Sequence, residues 1–394
     1  MADKVDLQAL REEIESIDRE LLEVLRQRKE CVEEVAAVKV KAAYPFRDKE
    51  REDHVLQRVR QAAVEYGLDA HVIERLHRLI MEMSIAHQQA YVHSLPGILL
   101  RVAYMGVEGS YSHLTAQRRY ARREGGVLLT GYETVRAAGD AVRHGTADLA
   151  LLPIENNTAG SINETYDVLA EGGLTITAEA VSAVEHCLVA LPGAKIKELR
   201  QVISHPQALA QCELFLRTMP WIRPQAEFDT AGAARKVKES NDLTLAAIAS
   251  ESAARIFDLR ILKKGIQSQP ENATRFVEVA VEASPCPHDA VCKTSLMVDL
   301  DENPVALGKV LNHFGDRGIR LCKLESRPIP ASPWKYRFYL DVEAHANSPK
   351  MVEALESIRP LTADLRLLGT YPRVRESVAS QVDPDAEPTF ITLY

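Results

Sequence analysis

The chain has 394 residues, 46% hydrophobic and 26% charged, with a formal net charge of -8. That length supports two or three separate cores, and no apolar run is long enough to cross a membrane. The acid excess argues against a nucleic-acid partner, and the polar start MADKVDLQALREE argues against export, so a cytoplasmic protein free of membrane is expected.

Residues 1–95 contain one proline, Pro45, and one glycine, Gly67, which divide the segment into three helices. In the first, Leu7, Leu10, Ile14, Ile17, Leu21, Val24, Arg28, Cys31, Val35 and Val38 form a coiled-coil-like seam. The second is expected from about Asp48 to Glu65. The third starts near Asp69, an N-cap residue, with Ile73, Leu76, Ile80 and Met83 as its apolar stripe.

Residues 98–283 alternate short apolar runs with helical patterns. LLRVAYM, ADLALLPI, LTITAEA, HCLVAL, RQVIS, LTLAAIAS and RFVEVAVE read as strands of an α/β domain with largely parallel sheets. The segment is long enough for two lobes. The stretch ASPCPHDAVC reads as a linker: it lacks a CxxC pair and a second ligand cluster, so no metal is expected there. All six cysteines are expected to be reduced in an intracellular chain. Residues 291–373 read strand, helix, strand, strand, helix, strand, the βαββαβ ferredoxin-like order. A flexible tail is expected over 374–394.

Arg28 is the anomaly of the helical segment, because a cation in an apolar seam is costly unless paired. Alone it would read as a snorkelling or register-fixing residue. Lys39, however, lies three turns further on nearly the same face, and Ser84 and Gln88 are an i, i+4 pair on the third helix. Asp48, Arg51 and Glu52 open the second helix. Together they make a cation-rich polar pocket suited to a compact dianion held in one shape. Chorismate is such a dianion. Its rearrangement to prephenate needs no nucleophile or proton transfer, only a fixed conformer and stabilisation of charge on the breaking ether oxygen.

The segment resembles the all-helical chorismate mutases, with Arg11, Arg28, Lys39, Asp48, Arg51, Glu52, Ser84 and Gln88 matching that family's substrate site. The resemblance implies that Arg11 and Arg28 hold carboxylates, Lys39 and Gln88 the ether oxygen, and Glu52 the ring hydroxyl. Arg11 and Arg28 are seventeen residues apart, or ~25 Å along a straight helix, too far to share one small ligand. If both serve one site, Arg11 comes from another chain, and the helices form an intertwined dimer.

In the middle segment, MGVEGSYSH is a strand-to-helix turn able to offer backbone donors to an anion. PIENNTAGSI follows a strand, and SHPQALAQC surrounds another strand end, the usual place for α/β sites. With NATRF, these loops resemble the catalytic domain of prephenate dehydratases, and the whole chain is similar to the bifunctional chorismate mutase/prephenate dehydratases of phenylalanine synthesis. The resemblance implies two lobes of the periplasmic-binding-protein type around a cleft, and no cofactor. It implies substrate contacts at Ser110, Tyr111, Asn156, Ser204, Gln211, Arg275 and Phe276. Arg275 and the loop amides would hold the two carboxylates, and Thr274, supported by Glu155, would assist departure of the hydroxyl as proton donor or relay.

Residues 291–373 resemble an ACT regulatory domain, a family that binds amino acids between paired domains. Glu325, Ser326, Arg327 and Pro328 match the effector motif that implies phenylalanine feedback, and pairing implies a homodimer or larger oligomer. The family's Gly-Ala-Leu is here Val305, Ala306 and Leu307, and a branched Cβ there is expected to weaken the effector's grip. Two alternatives stay open: a bilobed small-molecule sensor dimerised by its helices, and a dehydratase acting on arogenate, the aminated analogue of prephenate.

Overall fold

The computed structural model describes residues 7–42, 49–94, 99–123, 125–284, 286, 290–300, 305–329, 332 and 335–374. Asp48 and all of the expected tail beyond Val374 lie outside the described residues. The chain divides into a helical unit and a larger unit that carries the sheets.

The helical unit holds α1 (Leu7–Ala42), α2 (Lys49–Glu65) and α3 (Ala70–Ser94). Gly67 turns the chain at φ 69°, and the Asp69 carboxylate caps α3 by accepting from the backbone of His71 and Val72 at 2.8 and 3.1 Å. The apolar seam of α1 is exposed in the single chain: Leu10, Ile14, Ile17, Leu21, Val24, Val35 and Val38 all face outward, whereas Ala36, off the seam, is fully buried. An apolar stripe of this length ordinarily faces a partner.

The first lobe of the larger unit comprises β1 (Leu100–Met105), α4 (Tyr111–Tyr120), β2 (Val127–Tyr132), α5 (Val135–Arg143), β3 (Leu149–Asn156), β4 (Gly160–Ser161), α6 (Asn163–Ala170) and β5 (Thr175–Ala183). The chain then forms the second lobe: β6 (Cys187–Ala190), β7 (Gln201–Ser204), α7 (Pro206–Gln211), α8 (Glu213–Arg217), β8 (Arg223–Ala226), α9 (Thr230–Ser240), β9 (Leu245–Ala249), α10 (Glu251–Ile256) and β10 (Arg260–Lys263). It returns as β11 (Ala273–Ala280), which inserts between β3 and β5 of the first sheet.

That return corrects the expectation of largely parallel sheets. β1 is parallel to β2 and β3, but β11 is antiparallel to both its neighbours; in the second sheet β7 is parallel to β8 and β9 while β6 is antiparallel to β9 and β10. A chain that crosses between lobes twice must bring a strand back against the direction of the others. The strands β2, β8 and β10 escaped the sequence reading because they are short or half polar, and β8 is exposed throughout.

The C-terminal part is β12 (Cys292–Leu300), α11 (Ala306–Gly315), β13 (Arg320–Pro328), β14 (Tyr336–Glu343), α12 (Pro349–Ile358) and β15 (Thr362–Pro372). Its sheet runs β13-β14-β12-β15 with antiparallel neighbours, the expected ferredoxin-like arrangement. Leu296 and Val298 of β12 face α11 and α12, whereas Met297, Tyr339, Leu368 and Tyr371 join the core of the first lobe. Alternation along each strand thus places one face on its own helices and the other on the sheet of the first lobe. Gly369 marks the closest approach: a Cβ there would lie 2.1 Å from the Ile176 carbonyl oxygen of β5.

One cysteine expectation is overturned. Cys286 and Cys292 form a disulfide across the linker, while Cys31, Cys187, Cys212 and Cys322 are free. Among the described residues, no helix is long and apolar enough to cross a membrane.

Candidate active sites

In the helical unit, α1 and α3 bring Arg28 onto Ser84. The Arg28 guanidinium donates to Ser84 Oγ and, at 3.4 Å, to the Ile80 carbonyl, which also accepts from Ser84 Oγ at 2.7 Å. Burial lowers the Arg28 pKa from its ordinary value. One turn beyond Ser84, Gln88 is buried and its Oε1 has no hydrogen-bond partner, a position that a ligand can fill. Lys39 and Glu52 are half-buried on α1 and α2, and Arg51 and Arg11 are exposed. The sequence reading missed the pair formed by His87 Nε2 and Glu33 Oε1 at 2.7 Å. Because α1 is one uninterrupted helix, Arg11 stays ~25 Å from Arg28 in the same chain.

In the larger unit a cleft of about 150 Å³ opens between the two lobes. Ser110, Tyr111, Asn156, Gln211, Thr274 and Phe276, all expected from the sequence, line it. Thr274 and Asn156 are register partners across β11 and β3, and Asn156 Nδ2 donates to Thr274 Oγ1 at 3.0 Å. Asn156 Oδ1 accepts from the Thr158 and Ala159 backbone at 3.1 and 3.0 Å, and from Gln211 Nε2 of the second lobe at 3.2 Å. Gln211 Oε1 in turn contacts His186 Nε2 at 2.8 Å. One amide network therefore spans the lobes.

The cleft's positive electrostatics come from the backbone. No lysine or arginine stands among its described lining residues. The N-termini of α4 and α9 open on it instead, capped by Ser110, which accepts from His113 N at 3.3 Å, and by Asp229, which accepts from Gly232 N. The sequence reading passed over Asp229, although an acid directly before the helix of TAGAARK is an N-cap signal. Asp229 Oδ2 is buried without a hydrogen-bond partner. Burial also lowers the pKa of His186 and His205, favouring neutral imidazoles.

Three expected contacts are corrected. Ser204 is fully buried and donates its hydroxyl to the Ile248 carbonyl at 2.6 Å, outside the lining. Arg275 and Glu155 point away from the cleft because strand neighbours alternate faces. Arg275 pairs with Glu179 at 2.8 Å, Asp341 at 2.7 Å and Glu155 at 3.5 Å, and donates to the Tyr371 hydroxyl at 3.0 Å. Glu155 also meets Lys323 at 3.1 Å. Neither side chain is placed to hold substrate or to support Thr274, whose partner is Asn156.

In the C-terminal part, Glu325 accepts from Ser161 Oγ at 2.6 Å, and Arg327 pairs with Asp167 at 3.1 Å. Ser326 and Pro328 alternate to the exposed side of β13. Val305 is 55% exposed at the start of α11 with φ -101°, whereas Ala306 is buried and Leu307 half-buried.

Comparison with known proteins agrees with this division. The family model for chorismate mutase type II matches residues 10–89, and that for prephenate dehydratase matches residues 102–284. The bifunctional chorismate mutase/prephenate dehydratase of Enterobacter agglomerans is 34% identical over 370 residues, covering 93% of this chain and 96% of its own. Arogenate dehydratase/prephenate dehydratase 2 of Arabidopsis thaliana is 41% identical over 285 residues, 70% of this chain and 74% of that protein. The crystal structure of prephenate dehydratase in complex with L-Phe from Arthrobacter aurescens superposes with a TM-score of 0.63 at 29% identity, covering 70% of this chain and 90% of that one. With both models matched in order and a relative of that kind aligned nearly end to end, the chain belongs to the bifunctional chorismate mutase/prephenate dehydratases, enzymes of phenylalanine synthesis that rearrange chorismate to prephenate and convert prephenate to phenylpyruvate.

Proposed function

We propose that the two reactions use the two sites as follows. In the mutase, Arg28 and Arg11 of a second copy hold the carboxylates of chorismate, while Lys39 and Gln88 face the breaking ether oxygen. Arg51, Glu52 and Ser84 complete the pocket, with Glu52 on the ring hydroxyl; Asp48 keeps its proposed place there. The exposed apolar stripe along α1 supports the dimer this requires. Cations that strengthen their hold as negative charge grows on the ether oxygen lower the barrier without any proton transfer.

In the dehydratase, prephenate loses its ring hydroxyl and ring carboxylate together, and aromaticity drives the step. The observation that carries the assignment is the Asn156–Thr274 hydrogen bond. It fixes Thr274 Oγ1 as an acceptor, so its own O–H is directed to the departing hydroxyl. The electron pair of the carbon–carboxylate bond enters the ring as CO2 departs, the ring C–OH bond breaks, and the hydroxyl leaves as water with a proton relayed from solvent through Thr274 Oγ1. The helix N-termini of α4 and α9 replace Arg275 as the groups holding carboxylates.

The C-terminal βαββαβ unit is read as an ACT domain that pairs with a second copy and binds phenylalanine through residues 305–307 and 325–328. Its topology and the phenylalanine named in the Arthrobacter structure support this. Purified protein given chorismate alone should release prephenate and then phenylpyruvate, with phenylalanine slowing the second step. Prephenate accumulating as the end product would overturn the dehydratase assignment.

A second substrate is favoured by one observation, the partnerless carboxylate oxygen of Asp229 beside a cleft with no lysine or arginine among its described lining residues. An ammonium in place of prephenate's side-chain keto oxygen would answer that charge, as in arogenate, the substrate in the Arabidopsis relative's name.

A further inference from the structure

The hairpin of β3 and β4 has two faces, and different parts of the molecule hold each. Asn156 faces the cleft and holds Thr274. Its neighbour Glu155, and Ser161, which is register partner to Glu155, face the C-terminal sheet. There Lys323 Nζ, largely buried, lies 3.1 Å from Glu155 Oε1 and donates to Ser161 Oγ at 3.0 Å, 5.9 Å from the centre of the Tyr166 ring. Ser161 Oγ donates onward to Glu325 Oε2 at 2.6 Å.

From this we propose that Lys323 is a positioning residue of the dehydratase, and that it transmits the state of the C-terminal domain to the cleft. The proposal rests on Thr274 and Asn156 being the reacting end of the cleft. Lys323 and Glu325 are two residues apart on β13, so one displacement of that strand moves both of their grips on the hairpin. The hairpin also carries the turn at Thr158 and Ala159, which Asn156 Oδ1 holds and which meets Gln211 through Thr158. A shift of β13 therefore reaches the amide network that spans the lobes. The cluster differs from ordinary interdomain adhesion in one respect: Glu155 is the chain neighbour of a cleft residue, so its displacement cannot leave Asn156 where it was. A hydrogen-bonded hydroxyl moved by a fraction of an ångström loses alignment for the transition state more than it loses ground-state binding.

The test uses the full-length protein with Lys323→Met and Lys323→Arg. Lys323→Met should lower dehydratase kcat by about tenfold while KM changes less than about threefold. Mutase activity should be unchanged, and added phenylalanine should no longer reduce the remaining dehydratase activity although equilibrium dialysis still detects it bound. Lys323→Arg should restore both turnover and inhibition. Wild-type kcat with full phenylalanine inhibition in Lys323→Met would overturn the proposal. So would a loss shared by mutase and dehydratase that arginine does not rescue. Should wild type bind no phenylalanine, the feedback reading and the transmission both fall, and the kcat–KM split alone decides positioning.

Discussion

Thr274 and Arg275 are consecutive in β11 and serve opposite faces of one sheet: Thr274 Oγ1 accepts from Asn156 at 3.0 Å in the cleft, while Arg275 meets Asp341 of the C-terminal sheet at 2.7 Å. Replacing each should therefore fail in a different way. Thr274→Ala should lower dehydratase turnover on the order of 10²-fold with the melting temperature and mutase rate preserved. Phenylpyruvate formation near the wild-type rate by a folded Thr274→Ala protein would remove its role.

Arg275→Ala should chiefly cost stability. It leaves Asp341 buried without its guanidinium, while Glu179 keeps Lys293 at 2.8 Å, and breaking such a buried pair costs about 3–5 kcal/mol. Urea unfolding followed separately from KM checks this. A raised KM with unchanged unfolding would return Arg275 to the substrate.

The length of α1 makes a prediction about subunits. Arg11→Ala and Lys39→Ala proteins should each lack mutase activity. Mixed under conditions that exchange chains, they should recover roughly a quarter of the wild-type rate, because half the dimers are mixed and each contains one intact site. No recovery despite verified exchange would make Arg11 structural.

Asp229→Asn keeps a side-chain oxygen able to cap α9 and removes the charge. Beside a cleft that solvent can enter, one charge a few ångströms from the ligand is worth ~1–2 kcal/mol, or roughly five- to thirtyfold in affinity. Prephenate, a dianion, should gain kcat/KM, and arogenate should lose it. Equal changes on both substrates would show that Asp229 acts only as a cap.

The position of Val305 tests the effector site. The backbone there is ordinary for a residue with a side chain, so any penalty falls on the ligand rather than on the fold. Val305→Gly should bind phenylalanine more tightly by about five- to a hundredfold, since crowding of this kind costs ~1–3 kcal/mol. Titrating dehydratase activity on both proteins measures it, and equal half-inhibition concentrations would sink the steric argument.

The sequence by itself determined the helices, most strands, and the residue types at both candidate sites. Each follows from local periodicity, as with the seam through Arg28, or from a short motif, as with Thr274 and Asn156. It also determined that Arg11 and Arg28 cannot serve one site from one chain, since helical rise is fixed. Only the tertiary structure decided which way neighbouring side chains face. Glu155 and Arg275 sit inside the most specific motifs yet point to the C-terminal sheet, because β11 enters between β3 and β5 and the strand period sends alternate residues to opposite faces. It also brought Asp229, His186 and His205 to the cleft, residues that no motif joined, because the walls of the cleft come from segments far apart in the chain and meet only when the two lobes pack.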